Sequence, residues 1–125
     1  MVYSKKKRLI KLGGRIREYF ITGDGVGNFV KVYAGTVEDV IMSSAYVTDC
    51  IVVPSDTSAT PSPVAYIAIS EDVEMSKEQI VEGLKEKCQS LEKFAQPTRY
   101  EIETVIARTN AGKKDYGYYK KKSGL

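Results

Sequence analysis

Arg108-Thr109-Asn110-Ala111-Gly112-Lys113-Lys114-Asp115-Tyr116 lies near the end of this chain, and its neighbours are most simply read outward from it. A strand-like run precedes it and a short polar segment follows. The spacing therefore predicts an exposed loop, hinged at Gly112, with Lys113 at its tip. Upstream, Thr98 to Ile106 alternates as a strand with one buried face, and Pro97 separates it from the segment before. Downstream, Asp115 marks the expected start of a short C-terminal helix.

Further back, Ser76-Lys77-Glu78-Gln79 has the spacing of a capping box, in which the serine and glutamine side chains satisfy backbone N–H groups at a helix start. Ile80, Val81, Leu84, Cys88 and Leu91 follow at the i, i+4, i+7 spacing of a buried helix face. Val47 to Val53 and Val64 to Ile69 are β-branched, apolar runs separated by a loop rich in Ser, Thr and Pro. Their closeness in sequence predicts antiparallel pairing, and their continuity places them centrally in a small sheet. Thr36-Val37-Glu38-Asp39 reads as another capping box, with Val37, Val40 and Ile41 as the apolar stripe of a helix beginning at Thr36. Phe29 to Tyr33 and the run ending at Ile21-Thr22 read as two strands around Gly23-Asp24-Gly25-Val26-Gly27-Asn28. Three glycines so close together suit a phosphate cradle, but no helix opening with Lys-Ser/Thr follows, so a hairpin turn is the better reading. The order is hairpin, helix, strand, strand, helix, strand, loop, helix. This is an α+β fold: a small, largely antiparallel sheet with packed helices, preceded by a β-hairpin.

The totals narrow the function. One domain is expected from 125 residues, with 42% hydrophobic and 28% charged residues as in ordinary globular proteins. No run approaches the roughly 18 apolar residues of a membrane span, and no secretory signal pattern is present. There is no histidine, which excludes Ser-His-Asp and Cys-His catalysis and the common histidine zinc sites. No metal site is expected. Cys50 and Cys88 sit in apolar or helical settings, so reduced buried thiols and a cytoplasmic location are expected. The net charge of +3 is concentrated at the ends, in Lys5-Lys6-Lys7-Arg8 and Lys120-Lys121-Lys122. With Tyr116, Tyr118 and Tyr119 alongside, the second cluster is the one feature that suits nucleic acid, through phosphate contacts and base stacking. The middle of the chain is not basic, and solvated ends are the expected reading.

Arg-Thr-x-x-Gly-Lys followed by Asp-Tyr resembles the closing motif of the adenylate-forming enzymes: AMP-forming acyl-CoA synthetases, nonribosomal peptide adenylation domains and luciferases. Gly14-Arg15-Ile16-Arg17-Glu18 resembles their hinge motif. Val32-Tyr33 through Val37-Glu38-Asp39-Val40-Ile41 resembles their "Val-Tyr-Pro-x-x-Val-Glu" stretch, with Ala34 where proline is usual. Asp49 to Val53 and Pro63 to Ala68 resemble their central strands. The resemblance implies a basic connector over 1–12, the small C-terminal (lid) domain over 13–120 and a basic tail over 121–125. It implies that Lys113 is the adenylation lysine, that Arg15 contacts the nucleotide ribose, and that Arg17 is the hinge. It also implies that the loop with Gly23, Gly25 and Gly27 faces the site of thioester formation. ATP with Mg²⁺, held mainly by an N-terminal adenylation domain, and coenzyme A or a pantetheine carrier would be the cosubstrates. A carboxylic acid would be the substrate, and this piece alone would be inactive. The alternatives are a stand-alone basic module for nucleic acid and a non-catalytic regulatory fragment that docks on a synthetase.

Overall fold

The computed structural model describes residues 18–55 and 60–124. Arg15, Arg17 and the connector over 1–12 fall outside them. Two strands, β1 (Tyr19–Gly23) and β2 (Phe29–Tyr33), form an antiparallel hairpin in which Tyr19 faces Tyr33 and Gly23 faces Phe29. A second sheet contains β3 (Val47–Pro54), β4 (Pro63–Ile69) and β5 (Arg99–Glu103), in the order β3-β4-β5. Three helices complete the α+β fold: α1 (Ala34–Met42), α2 (Lys77–Cys88) and α3 (Tyr116–Ser123). A 3₁₀ turn over Lys93–Ala95 leads from α2 to β5.

The β3–β4 pairing is antiparallel, with Cys50 opposite Ile67 and Val53 opposite Val64. β5 instead runs parallel to β4, so two of the three strand pairings are antiparallel and one is parallel. The reason is α2, which carries the chain back across the sheet and lets β5 enter from the same end as β4. Only β4 is central. β3 lies at an edge of the sheet, but both of its faces are covered, which accounts for its unbroken apolar run.

The period of two in β3 and β4 divides the core between the two faces of the sheet. Cys50, Val52, Ala65 and Ile67 turn to α1 and α2, against Val37, Ile41, Ile80 and Leu84. Ile51, Val53, Val64 and Tyr66 turn the other way and meet Ile106 and Tyr119 of the C-terminal segment. Both cysteines are buried free thiols.

Ser76 caps α2 as its sequence predicts: its hydroxyl accepts from the Gln79 N–H at 3.1 Å, and the Gln79 side chain accepts from the Ser76 N–H at 3.0 Å. Thr36 does not cap α1. That helix begins two residues earlier, at Ala34, directly out of β2, and Tyr33 precedes it with no side-chain cap. The Ala34 N–H donates to the Glu18 carbonyl at 3.0 Å, so the residue just before β1 takes up a helix-start donor that a cap would otherwise satisfy.

Candidate functional site

The lysine loop is built from its legs. Ile106 is buried against β3 and β4, and the next backbone N–H, that of Ala107, donates to the Tyr119 hydroxyl at 2.8 Å. The Tyr119 ring stacks at a tilt on Tyr66, with centroids 4.7 Å apart, so α3 and the incoming leg are fixed on one sheet face. Ser123 donates to the Pro54 carbonyl at 2.7 Å and pins the far end of α3. Asp115 is the N-cap of this helix, accepting from the Tyr118 N–H at 3.0 Å, as its position predicts.

Arg108 and Lys114 form an isolated antiparallel bridge that closes the loop. Within it, the Thr109 N–H donates to the Lys113 carbonyl at 2.7 Å, and the Gly112 N–H donates to the Thr109 carbonyl at 2.9 Å. The Lys113 N–H reaches the Thr109 hydroxyl at 3.3 Å. Gly112 turns the chain with φ +83°, a left-handed conformation that side-chain-bearing residues adopt only at a cost. Added bulk there would meet nothing within 4 Å, so the demand for glycine comes from the backbone alone.

The two adjacent lysines differ sharply. Lys113 is exposed, and no ion pair or side-chain hydrogen bond holds its ammonium among the described residues. Lys114 points inward: its ammonium lies 3.0 Å from Glu38 Oε1 and 3.9 Å from Asp49 Oδ1. The Glu38 carboxylate, on α1, is buried. Its Oε2 accepts from the Val52 N–H at 3.0 Å and from the Tyr116 hydroxyl at 2.8 Å. Burial first, and then the negative charge of Glu38, push the Tyr116 phenol above its usual range, so it stays protonated as the donor. The same causes raise the Cys50 thiol, which lies 3.6 Å from the Glu38 carbonyl and is therefore an unreactive neighbour. On the other leg, Arg108 pairs with Asp49 Oδ2 at 2.5 Å. Sequence reading chose Lys113 but missed Glu38, Asp49, Lys114 and Tyr116. Only Glu38 left a signal, since it stands three residues before Ile41 on the buried side of α1.

Gly23, Gly25 and Gly27 share the hairpin loop. Gly25 (φ +91°) and Gly27 (φ +99°) take left-handed backbone, and Asp24 organises the turn. Its Oδ1 accepts from the Val26 and Asn28 N–H groups at 2.9 and 3.1 Å, and its Oδ2 accepts from the Asn28 amide at 3.1 Å. The Val26 N–H above all holds the Asp24 carboxyl below the usual carboxylate range. Gly23 serves a different end: a Cβ there would stand 2.9 Å from the Thr60 methyl. Thr22 joins the hairpin to the loop before β4 by donating to the Pro61 carbonyl at 2.5 Å. Val32 turns inward to the core, whereas Tyr19, Ile21, Phe29 and Tyr33 are exposed on the opposite face, with Lys31 lying over the Tyr19 ring. Among the described residues, no hydrogen bond or ion pair links this loop to the lysine loop.

The basic C-terminal helix is partly occupied internally. Lys122 pairs with Glu103 at 3.1 Å, Lys120 with Glu18 at 3.6 Å, and Tyr119 is buried. A surface cavity of about 390 Å³ lies between α2 and β5, lined by Lys85, Gln89, Gln96, Pro97, Thr98 and Tyr100; none of the predicted site residues borders it. No helix is long and apolar enough to cross a membrane among the described residues.

The model of one protein family, the AMP-binding enzyme C-terminal domain, matches residues 36–113, which include most of α1, the three-stranded sheet and the loop as far as Lys113. No curated protein matches the chain. Among solved structures, the chain is similar to the Brucella canis acyl-CoA synthetase, at 21% identity and a TM-score of 0.70, over 88% of this chain and 20% of that one. It is similar to apo MatB from Rhodopseudomonas palustris, at 20% identity and a TM-score of 0.69, over 87% of this chain and 20% of that one. The anthranilate CoA ligase AuaEII, solved with anthranoyl-AMP, aligns at 21% identity and a TM-score of 0.69, over 86% of this chain and 23% of that one. At such identities the likeness is one of fold, and the chain spans about a fifth of the length of these structures.

Proposed function

Because the chain belongs to the family of AMP-binding enzyme C-terminal domains, we propose that it is the mobile lid of an AMP-forming acyl-CoA synthetase or a related acid–thiol ligase. In this reading an N-terminal adenylation domain, in the same polypeptide or a separate subunit, holds the carboxylic acid, ATP and Mg²⁺. The observation that carries the reading is the state of Lys113: an exposed ammonium, free of partners among the described residues, at the tip of a loop whose legs are anchored.

That arrangement suits one chemical task. When a carboxylate attacks the α-phosphate of ATP, two anionic groups must approach each other. A compact ammonium brought between their oxygens offsets the repulsion and stabilises the charge that develops as pyrophosphate leaves. Lys113 takes no covalent part, and its contribution is position and charge. The anchored legs keep the loop from folding back, so the lysine leaves the site only as the whole domain turns.

Turning about Arg17 would bring the Gly23–Gly27 loop to the site for thioester formation, with coenzyme A or a carrier-protein pantetheine as acceptor. The exposed apolar face of the hairpin, Tyr19, Ile21, Phe29 and Tyr33, supports contact with a partner domain there. Arg15 would contact the nucleotide ribose. The two cysteines, both buried as free thiols, agree with a reducing, cytoplasmic setting. Alone, the chain would have no adenylation activity.

The test is carboxylate-dependent ATP–pyrophosphate exchange by the native polypeptide or complex that carries this chain, with a panel of fatty, aromatic and amino acids. Lys113→Ala should abolish most of the exchange, and Lys121→Ala, on the exposed side of α3, should leave it intact. Equal activity in the two variants would refute the assignment of Lys113.

A further inference from the structure

Two lysines stand side by side at the loop, and the structure gives them opposite environments. Lys113 is exposed, while the Lys114 side chain is 23% exposed against a Glu38 side chain that is 6% exposed. We propose that Glu38 is the positioning residue of the lysine loop: its buried carboxylate sorts the two lysines, taking Lys114 as an anchor and so presenting Lys113 to substrate. The proposal rests on the adenylation reading of Lys113 given above.

The geometry leaves the carboxylate little freedom. A buried carboxylate needs donors on both oxygens, because an unpaired one is strongly disfavoured away from water. Glu38 takes one from β3, the Val52 N–H, at 3.0 Å. The other two come from the outgoing leg of the loop, Lys114 at 3.0 Å and the Tyr116 hydroxyl at 2.8 Å. They flank Asp115, whose N–H donates to the Ala107 carbonyl at 3.2 Å. The leg is thus held on both sides of one residue by a single acidic group that belongs to α1 and is tied to β3, not to the loop. Lys114 is also the bridge partner of Arg108, and both side chains face Asp49. With Lys114 drawn inward, Lys113 is left exposed in the turn after Gly112. If the carboxylate chose Lys113 instead, the register of the bridge would slip by one residue, and Gly112, with its φ of +83°, would no longer sit at the turn.

Amide hydrogen exchange of the 125-residue chain tests the anchor without reference to activity. Gly112 and Lys113 both donate backbone hydrogen bonds within the loop. Lys114→Met should speed their exchange by about tenfold or more, the loss expected for one charge-assisted hydrogen bond. Lys114→Arg should restore it, and the β3 and β4 amides should exchange at the wild-type rate throughout. Glu38→Gln should give the same loosening as Lys114→Met. Where it does not fold, Lys114→Met and Tyr116→Phe carry the test. Unchanged loop exchange in Lys114→Met overturns the proposal.

The positioning role is read separately, by ATP–pyrophosphate exchange in the native polypeptide or complex. Lys114→Met should lower kcat with the KM values for ATP and carboxylate held within about twofold, and Lys114→Arg should recover it. A Lys114→Met variant with full kcat, beside a Lys113→Ala variant that has lost activity, overturns the positioning role alone. A fully active Lys113→Ala variant overturns the adenylation reading and the positioning role with it, even where the loop loosens as expected.

Discussion

The hairpin loop and the lysine loop are both exposed, glycine-bearing turns, yet they are held in opposite ways. The tip of the hairpin loop is held by its own residues: Asp24 gathers Val26 and Asn28 around itself, and Gly25 and Gly27 supply the left-handed backbone. The lysine loop takes its shape from elsewhere. Its legs are tied to Asp49 on β3 and Glu38 on α1, residues separated from it by 59 to 78 positions in the chain. A locally organised turn can adjust without disturbing the core. One anchored to a buried carboxylate moves with the domain as a rigid part.

Four measurements sharpen this contrast or break it. The largest effect belongs to the anchored loop: Lys113→Ala should lower adenylation about 100- to 1,000-fold. The same change should leave unfolding free energy within about 0.5 kcal/mol of wild type, because the side chain is exposed. Second, Glu38→Ala should cost about 3 kcal/mol in urea denaturation, since it leaves Lys114 and the Val52 N–H without their acceptor. A loss no larger than that of a surface substitution would mean that the lysine loop is held by its own residues, like the tip of the hairpin loop. Third, Gly112→Ala should cost about 1 kcal/mol by forcing a side chain into left-handed backbone, with no clash to add to it. The smallest effect lies in the hairpin. The Asp24 carboxyl is held below its ordinary value, so its hold on the turn is complete at neutral pH and is lost as pH falls through that depressed value. The Val26 and Asn28 amide resonances should shift in an acid titration while the β3 and β4 resonances stay in place.

The parts of the molecule that were legible in sequence are those set by local chemistry. Ser76 and Gln79 cap α2 because a capping box needs only four residues. β2 runs from Phe29 to Tyr33, as its pattern predicts, and Asp115 starts α3. Thr36 misled because its spacing copies a capping box, whereas the hairpin delivers the chain into α1 two residues earlier with a carbonyl at Glu18 already in place. The parallel direction of β5 was not read from the sequence, although the helix between β4 and β5 is long enough for a crossover. The exposed turn that carries Lys113 was legible through the glycine before it. Its anchors were not, because a buried carboxylate on one helix and a lysine 76 positions later share no local pattern.

The parallel pairing of β5 has a consequence for how the domain behaves among copies of itself. Among the described residues only β4 pairs with this strand, so the far side of β5 offers unsatisfied backbone groups to any strand that approaches. The strand is five residues long and carries Arg99, Glu101 and Glu103, with Arg99 and Glu101 paired at 3.2 Å. Short length and closely spaced charge make the addition of a further strand unfavourable, because each added pair would have to strip water from those ions. The domain is thereby protected from sheet-to-sheet aggregation at this edge.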